Sequence, residues 1–413
     1  MKRGLLVIGM VVLLAGCVRS PEAERQAETQ RTQGTQETQA PGTQAESPAE
    51  ESAEEESAAV MVPPETAEQE VDSRVPVKVR GIYLSAYMAG TPGLLDNILK
   101  EIEQSDINAV VIDVKNDDGR VTFDMDTPVA SEIGACKAYI QDVGELVEKL
   151  KEKNLYVIAR VVAFRDPFLA EAKPEWSLKT KDGEVYRDNK GLAWVNPYKK
   201  EVWDYLLEIG KAAGKAGFDE IQFDYIRFST EKGMRQVVFD EEDTKGRSKT
   251  DIITEFITYA YEPLKEAGLF VSADVFGAII GSEQDAQSVG QVYRDMAKHL
   301  DYICPMIYPS HYADGNFGIE HPDTKPYDTV LAALQGSQED LVAVATDTGE
   351  PEKLAIVRPW LQDFTASYLK NYIKYGPEQV KDQIRAVNDA GYEEWIFWDA
   401  ACTYEWKGLE KED

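Results

Sequence analysis

The chain has 413 residues, 74 Asp or Glu against 44 Lys or Arg, and a formal charge of -30, which excludes a broad basic surface for nucleic acid or anionic headgroups. Its four cysteines are too few and too widely spaced for a disulfide framework and include no CxxC, and its three histidines show no HxH or HExxH spacing, which disfavours a metal centre built on imidazole. The charge fits an extracytoplasmic domain handling neutral or cationic substrates and weighs weakly against polyanionic polymers.

Lys2 and Arg3 precede an apolar run, Gly4 to Gly16, that is too short to span a bilayer and closes on Leu14-Ala15-Gly16-Cys17. This resembles a bacterial lipoprotein box. The resemblance implies removal of residues 1–16, lipid on Cys17 and anchorage of the chain to the cell membrane outside the cytoplasm. Val18 and Arg19 follow, so no Asp stands directly after the cysteine to direct retention at an inner membrane. From Cys17 to residue 74 the composition turns to Gln, Glu, Thr, Ser, Ala and Pro, without aromatics. Such a segment cannot bury enough apolar surface to offset its ordering entropy and reads as a disordered acidic tether.

From residue 75 to 413, short β-branched or aromatic runs alternate with amphipathic ones. The strand-like runs are Val79–Tyr87, Ala109–Lys115, Tyr156–Phe164, Glu220–Phe228, Phe270–Ala278, Tyr302–Tyr308, Ala355–Leu361 and Glu394–Trp398. The helix-like runs are Leu94–Ser105, Asp142–Lys153, Lys200–Ala216, Asp251–Ala267, Gln291–Leu300, Tyr327–Leu334 and Pro377–Ala390. Gly217, Gly268 and Gly391 each follow a helical run as terminators, and Pro377 suits a first turn. Eight strands with seven helices between them make an α/β fold of the (β/α)8 TIM-barrel type, with a last helix that is short or missing. No GxGxxG follows the first strand, against a doubly wound sheet. The long connections, Asp166–Lys199, Ser229–Thr250 and Ser310–Lys325, all follow strands, where barrel enzymes place their chemistry.

The most informative segment is Gly217–Phe228, GFDEIQFDYIRF, in which Asp224 interrupts an apolar strand. An unpaired buried carboxylate costs several kcal/mol, so Asp224 is either chemical or paired, with Arg227 the nearest cation in sequence. The other strand ends supply Asp113, Lys115 and Asp117 (alternate positions on one side of strand two), Arg160, Gln222, Asp274, Tyr308 with His311, Arg358, Trp360, Gln362, Asp363, Trp398 and Asp399. Aromatic faces stack on sugar rings while Asp, Arg and Gln bond hydroxyls, so this set suits a polysaccharide or oligosaccharide. Bland readings stand beside it: Arg160 and Arg358 neutralising barrel acids, Trp360 and Trp398 as core aromatics, Asp117-Asp118-Gly119 as a plain turn, Asp399 as a cap. Neither a nucleophile elbow nor a Walker loop is present, and no cofactor is called for. An oxygen-only Mg or Ca site stays open. Cys304 reads as a small buried hydrophobe, and a bridge among Cys136, Cys304 and Cys402 also stays open.

Paired carboxylates remain. Glycoside cleavage needs one acid to protonate the leaving oxygen and one carboxylate to attack or to activate water, at ~5 to 9.5 Å. Asp224 and Asp274 lie on consecutive strands and form the natural pair. Residues Gly217–Asp224 are similar to the strand-four motif of the α-amylase clan, whose final Asp is the nucleophile. Pro174-Glu175-Trp176, Asn196-Pro197 and FDYIRF together resemble bacterial extracytoplasmic families assigned a glycoside hydrolase domain by inference, over about Lys78 to Trp398. The resemblance implies Asp224 as nucleophile, Asp274 as acid/base and Asp363 as a third, stabilising carboxylate. Gln222 stands where the clan has an orienting Arg, Asp274 where it has Glu, and Gln362 where it has His. These departures leave open an inverting enzyme, an acid supplied by Asp113, Asp117 or Asp399, or a non-catalytic carbohydrate-binding lipoprotein on a degenerate barrel.

Overall fold

A computed structural model describes residues 72–125, 127–347 and 353–411. The lipoprotein-like leader, Cys17 and nearly all of the acidic tether lie outside the described residues. Residues Ser73–Asp413 form one compact unit.

The strands are β1 (Arg80–Leu84), β2 (Ala109–Lys115), β3 (Tyr156–Val162), β4 (Glu220–Asp224), β5 (Phe270–Phe276), β6 (Tyr302–Met306), β7 in two pieces (Ile356–Val357 and Trp360–Gln362) and β8 (Trp395–Trp398). Every neighbouring pair is parallel, and the ring closes through β8 on β1. This is an eight-position (β/α)8 barrel. β7 breaks at Arg358-Pro359, where proline has no N–H to donate to the ladder. Its first piece pairs with β6 at Tyr302 and Ile303, its second with β8 from Trp360 to Gln362.

The outer helices are α1 (Pro92–Ile102), α2 (Val143–Glu152), α3 (Lys200–Lys215), α4 (Lys249–Lys265), α5 (Tyr293–Met296), α6 (Pro326–Asp347) and α7 (Pro377–Asp389). Asp142 caps α2 by accepting from the Glu145 N–H, and Ser248 with Asp251 closes a reciprocal cap on α4. Gly217, after α3, holds φ +100, and a Cβ there would stand 3.1 Å from Val147 Cγ1. Two expectations shift. The helix read as Gln291–Leu300 is the single turn α5, and the one read as Tyr327–Leu334 runs on to Asp347. After β8 only a 3-10 turn, Trp406–Gly408, follows, matching the expected loss of the last helix. Cys136, Cys304 and Cys402 are free thiols. No helix among the described residues is long and apolar enough to cross a membrane.

The N-terminal end of the barrel is plugged by charge. Arg358 donates to Glu220 at 2.9 and 3.0 Å and to Glu394 at 2.8 Å, and its head lies 3.7 Å from the Tyr302 ring centroid. Ser272 and Tyr156 donate to the remaining Glu220 lone pairs. Arg358 and Glu220 are fully buried. Arg358, expected at the ligand face, therefore belongs to the opposite end: it precedes the break in β7, level with the first residue of β4. Outside this plug, Arg74 grips Asp301 at 2.8 and 3.0 Å and the Leu269 carbonyl at 2.6 Å, over Phe270. The chain thus enters the barrel at its N-terminal end.

Candidate active site

The opposite end of the barrel gathers acids around one guanidinium. Arg160 projects from β3, and its cross-strand partner on β4 is Gln222, two residues before Asp224. Its Nε and Nη2 donate to Asp224 Oδ2 at 2.9 and 2.5 Å, and its Nη1 donates to Asp113 Oδ1 at 2.6 Å. Asp117 lies at 3.4 Å from the same head. The Tyr83 hydroxyl donates to Asp113 Oδ2 at 2.6 Å. Burial pushes the Asp113 carboxyl up to about 6, with Arg160 opposing and Asp117 adding to the rise. At Asp117 burial also works upward, but Arg160 and Arg165 outweigh it and hold the carboxyl below its ordinary value.

Asp224 ends β4. Tyr225 follows with φ +51, a left-handed conformation that costs a tyrosine energy and halts the strand. For this reason β4 stops at Asp224 rather than at Phe228, although the apolar pattern continues. The turn leaves Asp224 at the barrel mouth, 7% exposed. Asp274, on the adjacent β5, is 2% exposed and accepts from Trp360 Nε1 at 2.6 Å. Burial drives its carboxyl well above the carboxylate range; the negative Asp224 adds to this, and the Trp360 hydrogen bond opposes it. Neighbouring acids thus sit in opposed settings, Asp224 on a guanidinium and Asp274 on an indole.

An aromatic wall closes one side. Trp398 lies 4.2 Å from Tyr83 and 5.7 Å from Trp360, centroid to centroid, and Arg160 stands 5.5 Å from the Trp398 ring. Tyr308 is buried beside the pair; burial raises its phenol well above the ordinary value, with Asp274 and Asp224 adding to it. His311 packs edge-on against Tyr308 at 5.0 Å, and burial lowers its pKa to about 4, so the ring is neutral near pH 7.

Several expected residues stand elsewhere. The ladder between β2 and β3 slips after Asp113, so Lys115 does not share a side with it. Lys115 is fully buried on Asp166 at 3.0 Å and on the Val162 carbonyl at 2.6 Å, a structural ion pair. Gln222 lies inside the barrel and donates to Cys304 Sγ at 3.2 Å. Gln362 ties loops together: it accepts from the Ser310 N–H and donates to Asp323 and the Phe364 carbonyl. Asp363 is turned to the C-terminal segment, where it accepts from the Glu405 N–H at 3.0 Å. Burial lifts its carboxyl to about 8. No described contact joins it to Asp224 or Asp274. Asp399 accepts from the Ala401 N–H at 2.5 Å, the capping role weighed for it. Arg227 is not the partner of Asp224; Arg160 is.

Two contributors arrive on loops, of which Arg165 escaped the strand-end reading. Arg165, just beyond β3, donates to Asp117 Oδ1 and to the Tyr225 hydroxyl, each at 2.6 Å. Asp117 is more than a turn residue, because its carboxylate bridges Arg160 and Arg165. Gly119 permits this: at φ +78, a Cβ there would fall 2.3 Å from Asp166 Oδ1, so only glycine lets the turn fold down over β3. The sequence signal was two cations five apart, Arg160 and Arg165, at the end of one strand. Among the described residues no group of three or more His, Cys, Asp and Glu is arranged to hold a metal ion; where the carboxylates converge, the Arg160 head fills the space.

The closed barrel has solved counterparts. The structure is similar to the PgaB (BpsB) glycoside hydrolase domain from Bordetella bronchiseptica, with a TM-score of 0.52 and 13% identity over 78% of this chain and 94% of that one. It is similar to alpha-L-fucosidase isoenzyme 2 from Paenibacillus thiaminolyticus, with a TM-score of 0.53 and 16% identity over 81% of this chain and 48% of that one. Identities this low establish the shared fold alone. A hypothetical protein from Ruminiclostridium thermocellum ATCC 27405 is 41% identical over 47% of this chain and 97% of its own, with a TM-score of 0.44. No curated protein matches the chain. Residues 81–404, which span the barrel and every acid described above, match the DUF4015 model, "Putative glycosyl hydrolase domain", and the chain belongs to that family.

Proposed function

We propose that this protein hydrolyses O-glycosidic bonds with Asp224 and Asp274. The observation that carries the reading is their opposed surroundings. Asp224 accepts two charge-assisted hydrogen bonds from Arg160, which favour a carboxylate able to attack the sugar or to activate water. Asp274, buried beside that charge, keeps its proton to higher pH, as a general acid for the leaving oxygen requires. Arg160 takes the orienting part that the α-amylase-like pattern would give to position 222, reaching Asp224 from the neighbouring strand. Asp113 and Asp117 hold Arg160 in place, and Trp398 offers a ring face for a sugar. Asp363 acts as a support for the C-terminal segment rather than as a third acid.

The lipoprotein-like leader supports anchorage through lipid on Cys17 and a cell-wall or extracellular polysaccharide as substrate. Labelling with a palmitate analogue in cells, lost in Cys17→Ser, tests that part. For the chemistry, the full chain is incubated with cell-wall and exopolysaccharides and new reducing ends are measured beside Asp224→Asn and Asp274→Asn. Activity that falls at least ~10²-fold in both establishes the pair. The absence of Asp363 from the pair favours a second reading, a carbohydrate-binding lipoprotein without catalysis; a parent that binds polysaccharide and cleaves none would establish it.

A further inference from the structure

Arg160, Arg165 and Arg227 stand together at the ends of β3 and β4, but only two of them are paired. Arg160 is shared by Asp113, Asp117 and Asp224, and Arg165 is held by Asp117. Arg227 has no carboxylate partner among the described residues; its Nη1 donates to the Phe228 carbonyl at 2.9 Å. Its head is held by aromatic faces. The ring centroids of Phe276, Tyr225 and Trp194 lie 4.4, 5.0 and 5.2 Å away. These rings belong to the site: Tyr225 follows Asp224, Phe276 ends β5 two residues after Asp274, and Trp194 is fixed by a hydrogen bond to Asp188. Arg227 is half-buried, and none of its nitrogens is among the buried atoms left without a partner, so the rest of the fork opens to solvent.

A purely structural cation in this setting would face an acid, as Arg358 does at the other end of the barrel. Keeping a guanidinium partly desolvated with no acid within ion-pair distance costs free energy. Burial is the largest influence on Arg227 and works against its charge; Tyr225, Asp224 and Glu231 offset part of this without forming an ion pair, and Arg165 adds to it. An aromatic cage that fixes the head while leaving its fork open complements a planar anion, which a guanidinium binds through two parallel hydrogen bonds.

We propose that Arg227 is an anion subsite beside Asp224, and that the glycan bound there carries a carboxylate on a sugar at or next to the scissile bond, as a hexuronic acid does. The inference rests on the glycoside hydrolase reading of the same site. It runs against the substrate preference expected from the charge of the whole chain. Charges more than a Debye length away, about 8 Å at physiological salt, are largely screened, so the groups at the site decide, and there Arg160 and Arg165 are taken up by carboxylates while Arg227 is in no ion pair among the described residues.

The test uses the full chain and Arg227→Met on polygalacturonate, alginate and hyaluronan, and on the same polymers after their carboxylates are reduced to alcohols. New reducing ends report cleavage, and affinity electrophoresis reports binding separately. The expected result is a preference for at least one acidic polymer over its reduced form that falls roughly 10- to 100-fold in Arg227→Met, mostly through KM. A parent indifferent to reduction in all three polymers, a parent that neither binds nor cleaves any of them, or a preference that survives in Arg227→Met overturns the subsite. A parent that cleaves acidic and reduced polymers equally well overturns the subsite and leaves the glycosidase standing. A parent that cleaves nothing, yet shows a binding preference that Arg227→Met loses, overturns the hydrolase reading and keeps the subsite. If Arg227→Met fails to fold, Arg227→Lys supplies the comparison, since it keeps the charge and loses the planar fork.

Discussion

The barrel holds two arginine–carboxylate clusters, one at each end, and they differ in how their charges are distributed. At the N-terminal end Arg358 lies between Glu220 and Glu394, with hydroxyl donors from Ser272 and Tyr156 on Glu220 and no exposure of the Arg358–Glu220 pair. At the C-terminal end Arg160 serves three carboxylates, a fourth, Asp274, accepts from an indole, and Asp117 is a third exposed. Both clusters centre on one buried arginine, Arg358 with two glutamates and Arg160 with three aspartates, and β4 contributes an acid to each, Glu220 at its start and Asp224 at its end. Charges matched and sealed hold a fold together. Charges shared unevenly at an open mouth set Asp224 on a guanidinium and hold the Asp274 carboxyl well above the carboxylate range, the contrast on which the proposed proton transfer rests.

That contrast can be broken by substitution. The largest effect is expected on turnover: Asp224→Asn and Asp274→Asn each lower it by 10²–10⁴-fold while thermal unfolding stays near that of the parent. If they unfold the protein instead, the upper cluster is structural like the lower one. Arg358→Met is expected to do the reverse and to cost about 3–5 kcal/mol of stability in denaturant unfolding, because it strands Glu220 in the interior. Arg160→Lys keeps the charge but not the two-pronged grip on Asp224, so turnover should fall roughly 10-fold with little loss of stability. A loss in unfolding free energy as large as that of Arg358→Met would erase the distinction between the clusters.

The last effect concerns pH. Asp363 has its carboxyl raised to about 8 in the fold from an ordinary value near 3.8. Between these values the native state holds a proton that the unfolded chain has released, so the stability tied to that proton is complete below the lower value and is lost as pH rises to the upper one. Asp363→Asn should flatten this decline in melting temperature between about pH 5 and 8. An unchanged slope would place the titration elsewhere, with Asp274 the next group of the same sign.

The fold was largely legible because strands buried on both faces leave long apolar runs; β2 occupies the span its residues announce, Ala109–Lys115. Periodicity failed where backbone conformation overrode it. Tyr225 to Phe228 remain apolar, yet the left-handed turn at Tyr225 ends the strand. Within the site, Asp224, Asp274, Arg160, Trp360 and Trp398 were readable, since adjacent parallel strands bring their ends together. The partner of Asp224 was not: it is Arg160 on the neighbouring strand, while the sequence-near Arg227 lies beyond the turn that ends β4. Lys115 was misjudged for a related reason: the slip after Asp113 breaks the alternation that its position relies on. Asp117 was named, but its bridge to Arg165 was not, because Arg165 comes from a connection whose course no local pattern encodes.

The grip of Arg74 on Asp301 and Leu269 has a mechanical consequence. Tension drawn along the residues that precede Ser73 enters the barrel at this clamp, at the ends of β5 and β6 remote from Asp224 and Asp274. Its first resistance is a two-pronged ion pair, set at the end of the barrel opposite the one where β4 closes on Asp224.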